Sequence, residues 1–251
     1  MRQIDLNADL GEAAGDDAAM LDLVSSANVC CGVHAGSREE TFATLAAARA
    51  RGVVAGAHPG YDDREGFGRR VVPMAPGQIE RLVAWQVGAC CGLAALAGHR
   101  IGYVKAHGAL YNLAATDREV AAAIARAVRA VDPGLVVLAL AGSVAIAAAE
   151  EAGLATAAEA FADRGYLSDG TLAPRGTAGA VLTDPDLVAG RALEMAETRS
   201  LPGGAGGGAG LRIDSLCLHG DTPGAVGLAR AVRARLTGAG FRIAPFAPAA
   251  P

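Results

Sequence analysis

A regular alternation of short apolar runs with longer helical patterns constrains this chain more than any other feature. Seven runs have the length and composition of strands: 3–7, 27–31, 53–57, 101–105, 135–140, 155–160 and 213–218. Between them apolar residues recur at helical spacing, as in the stripe Val120, Ile124, Val128 and Val131. Strands separated by helices pair in parallel, because each helical crossover carries the chain back to the same end of the sheet. Helix starts are marked as well. Ser37 with Glu40, and Thr116 with Glu119, have capping-box spacing, so a helix is expected over 38–50. Asp184-Pro185 and Thr222-Pro223 combine a cap with a proline at the first helical position. The segment 76–97 predicts a long buried helix carrying Ile79, Val83, Val87, Cys90 and Ala94.

A parallel sheet of this kind is either open and doubly wound or closed into a barrel. An open sheet gathers its ligand groups at one switch point, fed by two or three strands. A barrel collects them from most of its strands, at the C-terminal rim. Here polar residues capable of chemistry follow the runs ending at 7, 31, 57, 105, 160 and 218. Contributions from so many strand ends predict a (β/α) barrel, and seven strands rather than eight predict a distorted one. At 251 residues the chain accommodates a single barrel domain over 1–251, with the glycine-rich 201–210 segment as a flexible loop. That segment lacks the Lys-Ser/Thr of a phosphate-binding loop, and no other nucleotide fingerprint is present.

Composition narrows the function classes. A net charge of −4 leaves no basic face for nucleic acid. The chain opens without a charged-then-apolar leader, and no apolar run reaches the roughly 20 residues of a membrane helix. A cytoplasmic protein without membrane contact is expected. Among 22 basic residues only Lys105 is a lysine, and a chain that uses arginine everywhere else keeps lysine where a compact ammonium is required. Asn7, Asn28 and Asn112 are the only asparagines, and each falls in a polar motif. The five cysteines have no zinc-ligand spacing and read as small buried hydrophobes; Cys31, three residues before His34, is the one alternative candidate for a thiol nucleophile.

Six motifs carry the chemistry. IDLNADLGE at 4–12 gives a central strand one polar face, where a buried carboxylate is costly unless paired. Asp5, Asp9 and Glu12 therefore outline a site with Asp9 as general base, unless Asp5 and Asn7 only tie down loops and Glu12 only caps. ANVCCGVHAGS at 27–37 brackets a glycine turn with Asn28 and His34. GAHPGYDDREGFGRR at 56–70 sets His58 at a strand end, then Arg64, Arg69 and Arg70, which suit a carboxylate or phosphate or belong to a solvated loop. In YVKAHGALYN at 103–112, Lys105 and His107 share strand parity and can stabilise an oxyanion and carry a proton, with Tyr111 a further substrate contact. FADRGYLSDGTLAPRG at 161–176 supplies Asp163, Arg164 and Arg175. LHGDTPGAV at 218–226 places His219 and Asp221 before a helix N-terminus, which favours an anion.

In this order and spacing the motifs resemble the LamB/YcsF family of 5-oxoprolinase A subunits over nearly the whole chain. The resemblance implies a distorted seven-stranded (β/α) barrel, similar in fold to glycoside hydrolase and deacetylase barrels. It also implies a part in the ATP-dependent opening of 5-oxoproline to glutamate, with partner subunits B and C. Ser37, Cys30 and Ala106 stand where the family usually has Asp, Ala and Pro. In that chemistry Asp9 would activate water, Lys105 would stabilise oxygen charge, and His58 or His107 would protonate the ring nitrogen. Arg69 or Arg70 would hold the substrate carboxylate, and ATP contacts would be shared with the partners. Metal-dependent deacetylases often open on N-A-D-D and use the second aspartate on the metal. Leu10 occupies that position here, which predicts a metal-free site. Two rival readings are a stand-alone metal-dependent deacetylase or amidase, and a non-catalytic binding subunit.

Overall fold

The computed structural model describes residues 2–202, 206, 210–220 and 224–248. The chain runs β1 (Arg2–Leu10), α1 (Asp17–Leu21), β2 (Ser26–Cys30), α2 (Arg38–Ala50), β3 (Val54–His58), α3 (Pro76–Leu96), β4 (Ile101–Val104), α4 (Gly108–Ala114) and α5 (Arg118–Val131). It continues with β5 (Val136–Leu140), α6 (Val144–Glu151), β6 (Thr156–Phe161), α7 (Pro185–Thr198), β7 (Ser215–His219), α8 (Ala225–Gly238) and β8 (Phe241–Ile243). Strands β1 to β7 are parallel and close on themselves through pairing of β1 with both β7 and β2. The seven-stranded barrel read from the sequence is present, and one short strand is added to it. β8 pairs with Arg2–Ile4 of β1, while β2 takes Asn7–Leu10. Ile4 O accepts from Ala244 N and Leu6 O from Ser25 N, so β8 and β2 share one edge of β1 and the distortion lies where they meet.

Local signals mostly act as expected. Ser37 caps α2 by accepting from Glu40 N, and Asp184 caps α7 with Pro185 in its first turn. Two differ. Asp117, not Thr116, caps α5, since its carboxylate reaches both Glu119 N and Val120 N. Gly224 is the N-cap of α8, displacing the expected Thr222-Pro223 start, and 222 and 223 themselves lie outside the described residues. So do most residues of the 201–210 segment. Helix α3 is not buried all round. Ile79, Val83, Val87, Cys90 and Ala94 are buried, whereas Trp85 and Leu96 are exposed. By length and hydropathy α3 could cross a membrane; here it is part of the ring around the barrel, packed on α5 and α2.

The interior of the barrel explains the polar face of β1. Ile4, Leu6, Ala8 and Leu10 belong to the main apolar core, while Asp5, Asn7 and Asp9 face inward. A small apolar plug of Val54, Tyr103, Leu138, Ala157 and Ala247 occupies a separate part of the interior. Hydrogen bonds connect the remainder. Tyr103 OH donates to Asn28 Oδ1 (2.7 Å), and Asn28 Nδ2 donates to Asn7 Oδ1 (2.6 Å) and Asp9 Oδ1 (2.8 Å). Asn7 Nδ2 donates to Glu159 Oε1 (2.8 Å) and Ser215 Oγ (2.6 Å). Asp5 accepts from the hydroxyls of Ser25, Ser26 and Ser215, and burial pushes its carboxyl up to about 6. Asp5 therefore ties β1 to β2 and β7.

Tyr103 crosses the interior only because Gly56, opposite it on β3, has no side chain; a Cβ there would lie 2.2 Å from the phenol ring. Gly56→Ala should destabilise the fold by about 1–3 kcal/mol, the usual cost of overpacking a filled core. Urea unfolding would show this as a lower midpoint at unchanged slope, and an unaltered midpoint would contradict the packing described.

Candidate active site

Lys105 continues β4 past Val104, its backbone N–H donating to Ala57 O at 3.0 Å, so its side chain enters the rim of the barrel. The ammonium is buried, 2.9 Å from Glu159 Oε1 and 3.0 Å from Asp9 Oδ1. Asn7 Oδ1 lies at 3.3 Å, Cys217 Sγ at 3.1 Å and the Phe161 ring centroid at 5.1 Å. A planar guanidinium does not fit among partners placed around one nitrogen. Burial alone would lower the ammonium pKa; Asp9, Cys217 and Glu159 outweigh it and hold the group well above its ordinary value. Burial pushes the Asp9 carboxyl up, but the Lys105 ammonium, with His58 and His219, holds it well below the carboxylate range.

Beside this pair stands a second acid–base unit. His219, the last residue of β7, lies opposite Asp9 in the strand register. Its Nδ1 is 2.8 Å from Asp163 Oδ2, which also accepts from His219 N, and its ring stacks on Phe161. An ionised carboxylate only accepts, so the Nδ1 proton is fixed toward Asp163 and Nε2 is left for the cavity.

Three of the other four histidines, His34, His58 and His107, cluster with Glu12. His34 Nε2 is 3.0 Å from Glu12 Oε1, and His107 Nδ1 is 3.2 Å from the same oxygen. His107 Nδ1 is also 3.0 Å from His58 Nε2, and the His34 and His107 rings stack with centroids 3.8 Å apart. The outward nitrogens meet carbonyls, His58 Nδ1 at Lys105 O and His107 Nε2 at Phe67 O, each at 2.8 Å. Gly68, at φ +63°, lets the loop lie on this stack, for a Cβ there would meet His107 Cδ2 at 2.8 Å. Burial would raise the Glu12 carboxyl, but His107 and His34 beside it hold it well below the usual range.

A cavity of about 460 Å³ opens over these groups. Asp9, His58, Lys105, His107 and His219 form one side, and Arg69, Arg164, Thr171 and Arg175 stand among the other lining residues. Residues 4–250 match the model of the LamB/YcsF family.

The chain belongs to the LamB/YcsF family.

A 5-oxoprolinase A subunit from Azorhizobium caulinodans is 52% identical over 99% of this chain and 100% of its own. The crystal structure of a lactam utilization protein from Thermus thermophilus superposes with a TM-score of 0.90 at 43% identity, covering 97% of this chain and 100% of that one. A family 4 carbohydrate esterase from Streptomyces lividans, at 10% identity and a TM-score of 0.50, covers 96% of this chain and 91% of its own; this likeness is of fold alone.

In this LamB/YcsF chain the four candidate catalytic residues, Asp9, His58, Lys105 and His107, do meet at the cavity, together with Arg69, Tyr111, Arg164, Arg175 and His219. Arg164 is committed to the loop, donating to Ala180 O and Ala173 O. Arg70 does not line the cavity; its guanidinium pairs with Asp63 within its own loop. Asn7 and Asn28 lie beneath the cavity, Glu12 and His34 behind its histidines, and Asp163 behind His219, so none of the five lines it. Asp221 lies outside the described residues. Burial, with Cys90 and Cys30 beside it, pushes the Cys31 thiol well above its ordinary value, which disfavours the thiolate that a nucleophile requires.

Glu159 escaped sequence reasoning. It is fully buried and bonds Lys105, Asn7 and Tyr111. The available signal was one acidic residue near the end of an otherwise apolar strand. Lys105→Met should destabilise the protein by about 3–5 kcal/mol, because two buried carboxylates lose their counter-charge. Adding Glu159→Gln should restore part of the loss. Denaturant midpoints of the single and double variants check this, and equal midpoints for Lys105→Met and the parent would contradict it.

Proposed function

We propose that this chain is the A subunit of an ATP-dependent 5-oxoprolinase. With subunits B and C it would open the lactam ring of 5-oxo-L-proline to L-glutamate, releasing ADP and phosphate. The carrying observation is the cavity in which Asp9, Lys105 and the Asp163–His219 pair face an arginine-bearing wall. The names of close full-length relatives, lactam utilization protein and 5-oxoprolinase A subunit, support the lactam as substrate and an assembly with other subunits.

A lactam is a resonance-stabilised amide that water attacks slowly. Phosphorylation of its carbonyl oxygen makes the carbon electrophilic: one water adds there, the C–N bond breaks to leave an acyl phosphate and the free amine, and a second water releases phosphate and the new carboxylate. Without a Walker motif in this chain, nucleotide binding is shared with the partners. Asp9, kept ionised by Lys105, accepts the proton of the attacking water, and Lys105 compensates charge on the oxygen. His219 gives the ring nitrogen its proton, oriented by Asp163. Of the five histidines it fits this role best, because the inward nitrogens of His58 and His107 face one another. Arg175, with Arg69, holds the substrate carboxylate.

Asp9→Asn in the reconstituted complex should cut glutamate release from 5-oxoproline at least ~10²-fold, and His219→Asn should lower kcat ~10²–10⁴-fold with little change in KM, the range for a lost general acid or base. Oxoproline-dependent ATP hydrolysis by the complex is the matching assay. Near-normal glutamate release by Asp9→Asn, or ring opening by this chain alone without ATP, would overturn the proposal.

A further inference from the structure

The cluster behind the cavity has one proton too few for its own hydrogen bonds. Carbonyl oxygens only accept, so His58 carries its proton on Nδ1, toward Lys105 O, and His107 carries its proton on Nε2, toward Phe67 O. In the neutral rings the inward atoms, His58 Nε2 and His107 Nδ1, are then bare lone pairs, 3.0 Å apart. Glu12 Oε1 adds a third acceptor, 3.2 Å from His107 Nδ1 and 3.9 Å from His58 Nε2. Asp9 Oδ2 is a fourth, 3.4 Å from His58 Nε2. Acceptors this close repel unless a cation lies between them.

We propose that Glu12, His58 and His107 bind a divalent first-row transition-metal cation at the inner wall of the cavity. Size supports it: a point equidistant from the three atoms lies about 2.0 Å from each, the bond length of such ions to imidazole nitrogen and carboxylate oxygen. The surroundings support it too. Metal-bound histidines characteristically donate their other nitrogen to a carbonyl or carboxylate, as both do here. Phe67, which supplies one of those carbonyls, is held at φ +55°, an unfavourable left-handed conformation for a bulky residue. His34 is not a ligand; its ring is parallel to that of His107, so the two cannot aim lone pairs at one ion, and it serves by donating to Glu12.

The absent carboxylate at Leu10 is no obstacle, since Glu12 comes from the turn just beyond and reaches the interior. In a second group of potential ligands, Asp9, Cys217 and His219, the first two already contact the Lys105 ammonium, which serves as their cation. Bound beside Asp9, the metal would polarise a substrate oxygen or a water, a role open to any amide substrate, so the site does not depend on the lactam reading.

The test uses the untagged full-length chain, stripped with chelator, loaded with Co²⁺ or Zn²⁺ and passed over a desalting column. About one metal per chain by mass spectrometry is expected, with a cobalt d–d spectrum typical of nitrogen and oxygen ligands. Glu12→Gln and His107→Asn should each weaken Zn²⁺ binding in calorimetry by at least the ~10–100-fold that loss of an outer-shell partner brings, whereas His219→Asn should not. Melting curves of the metal-free variants establish that they are folded, and the cobalt spectrum of the parent needs no variant. Retention of under about a tenth of an ion per chain, a thiolate charge-transfer band, or unweakened binding by both cluster variants would overturn the site and leave a shared proton as the bridging cation.

Discussion

The buried ammonium of Lys105 is the interaction on which the rest of the site depends. Placing one positive charge between Asp9 and Glu159 gives two buried carboxyl groups a shared counter-charge in an interior where an unpaired charge is costly. The same charge joins three strands, since Asp9 is on β1, Glu159 on β6 and Lys105 just past β4. Asn7 and Cys217 complete its surroundings from β1 and β7. Position and protonation are thereby set together: the base is ionised because the cation is close, and the cation is close because the barrel closes.

That closure is unusual in what fills it. A (β/α) barrel is commonly packed with layers of branched apolar side chains. Here apolar packing is concentrated in a plug around Tyr103, and hydrogen-bonded Asn, Ser, Tyr and carboxylate groups occupy much of the rest. Polar interiors are stable only when nearly every group has a partner, so they tolerate few arrangements. This rigidity suits a site that must hold a base and a cation in register. Seven strands also give a narrower enclosure than eight, and Gly56 shows how little room is left.

The four histidines of the site divide into two groups with different tasks. His219 is oriented by Asp163 and faces the cavity, whereas His58, His107 and His34 turn toward one another and Glu12. Loops rather than strands create that division. The 59–68 segment reaches over the His34–His107 stack because Gly68 admits a close approach, and Phe67 contributes its carbonyl from a strained conformation.

Much of this was legible in the amino-acid sequence. Strand and helix periodicity, with polar residues at successive strand ends, was enough for the barrel, because each follows from local spacing. Asp9 and Lys105 stood out for the same reason: a carboxylate on a central strand and a lone lysine among arginines are anomalies visible one residue at a time. Pairing across the barrel was not visible. Glu159 meets Lys105 over a separation of 54 residues, Asp163 meets His219 over 56, and Glu12 meets His107 over 95, and no local pattern encodes such contacts. Strand order and stagger place those partners, so only the tertiary structure decided which polar residues touch substrate space, which tie strands together, and which converge on one another behind the wall.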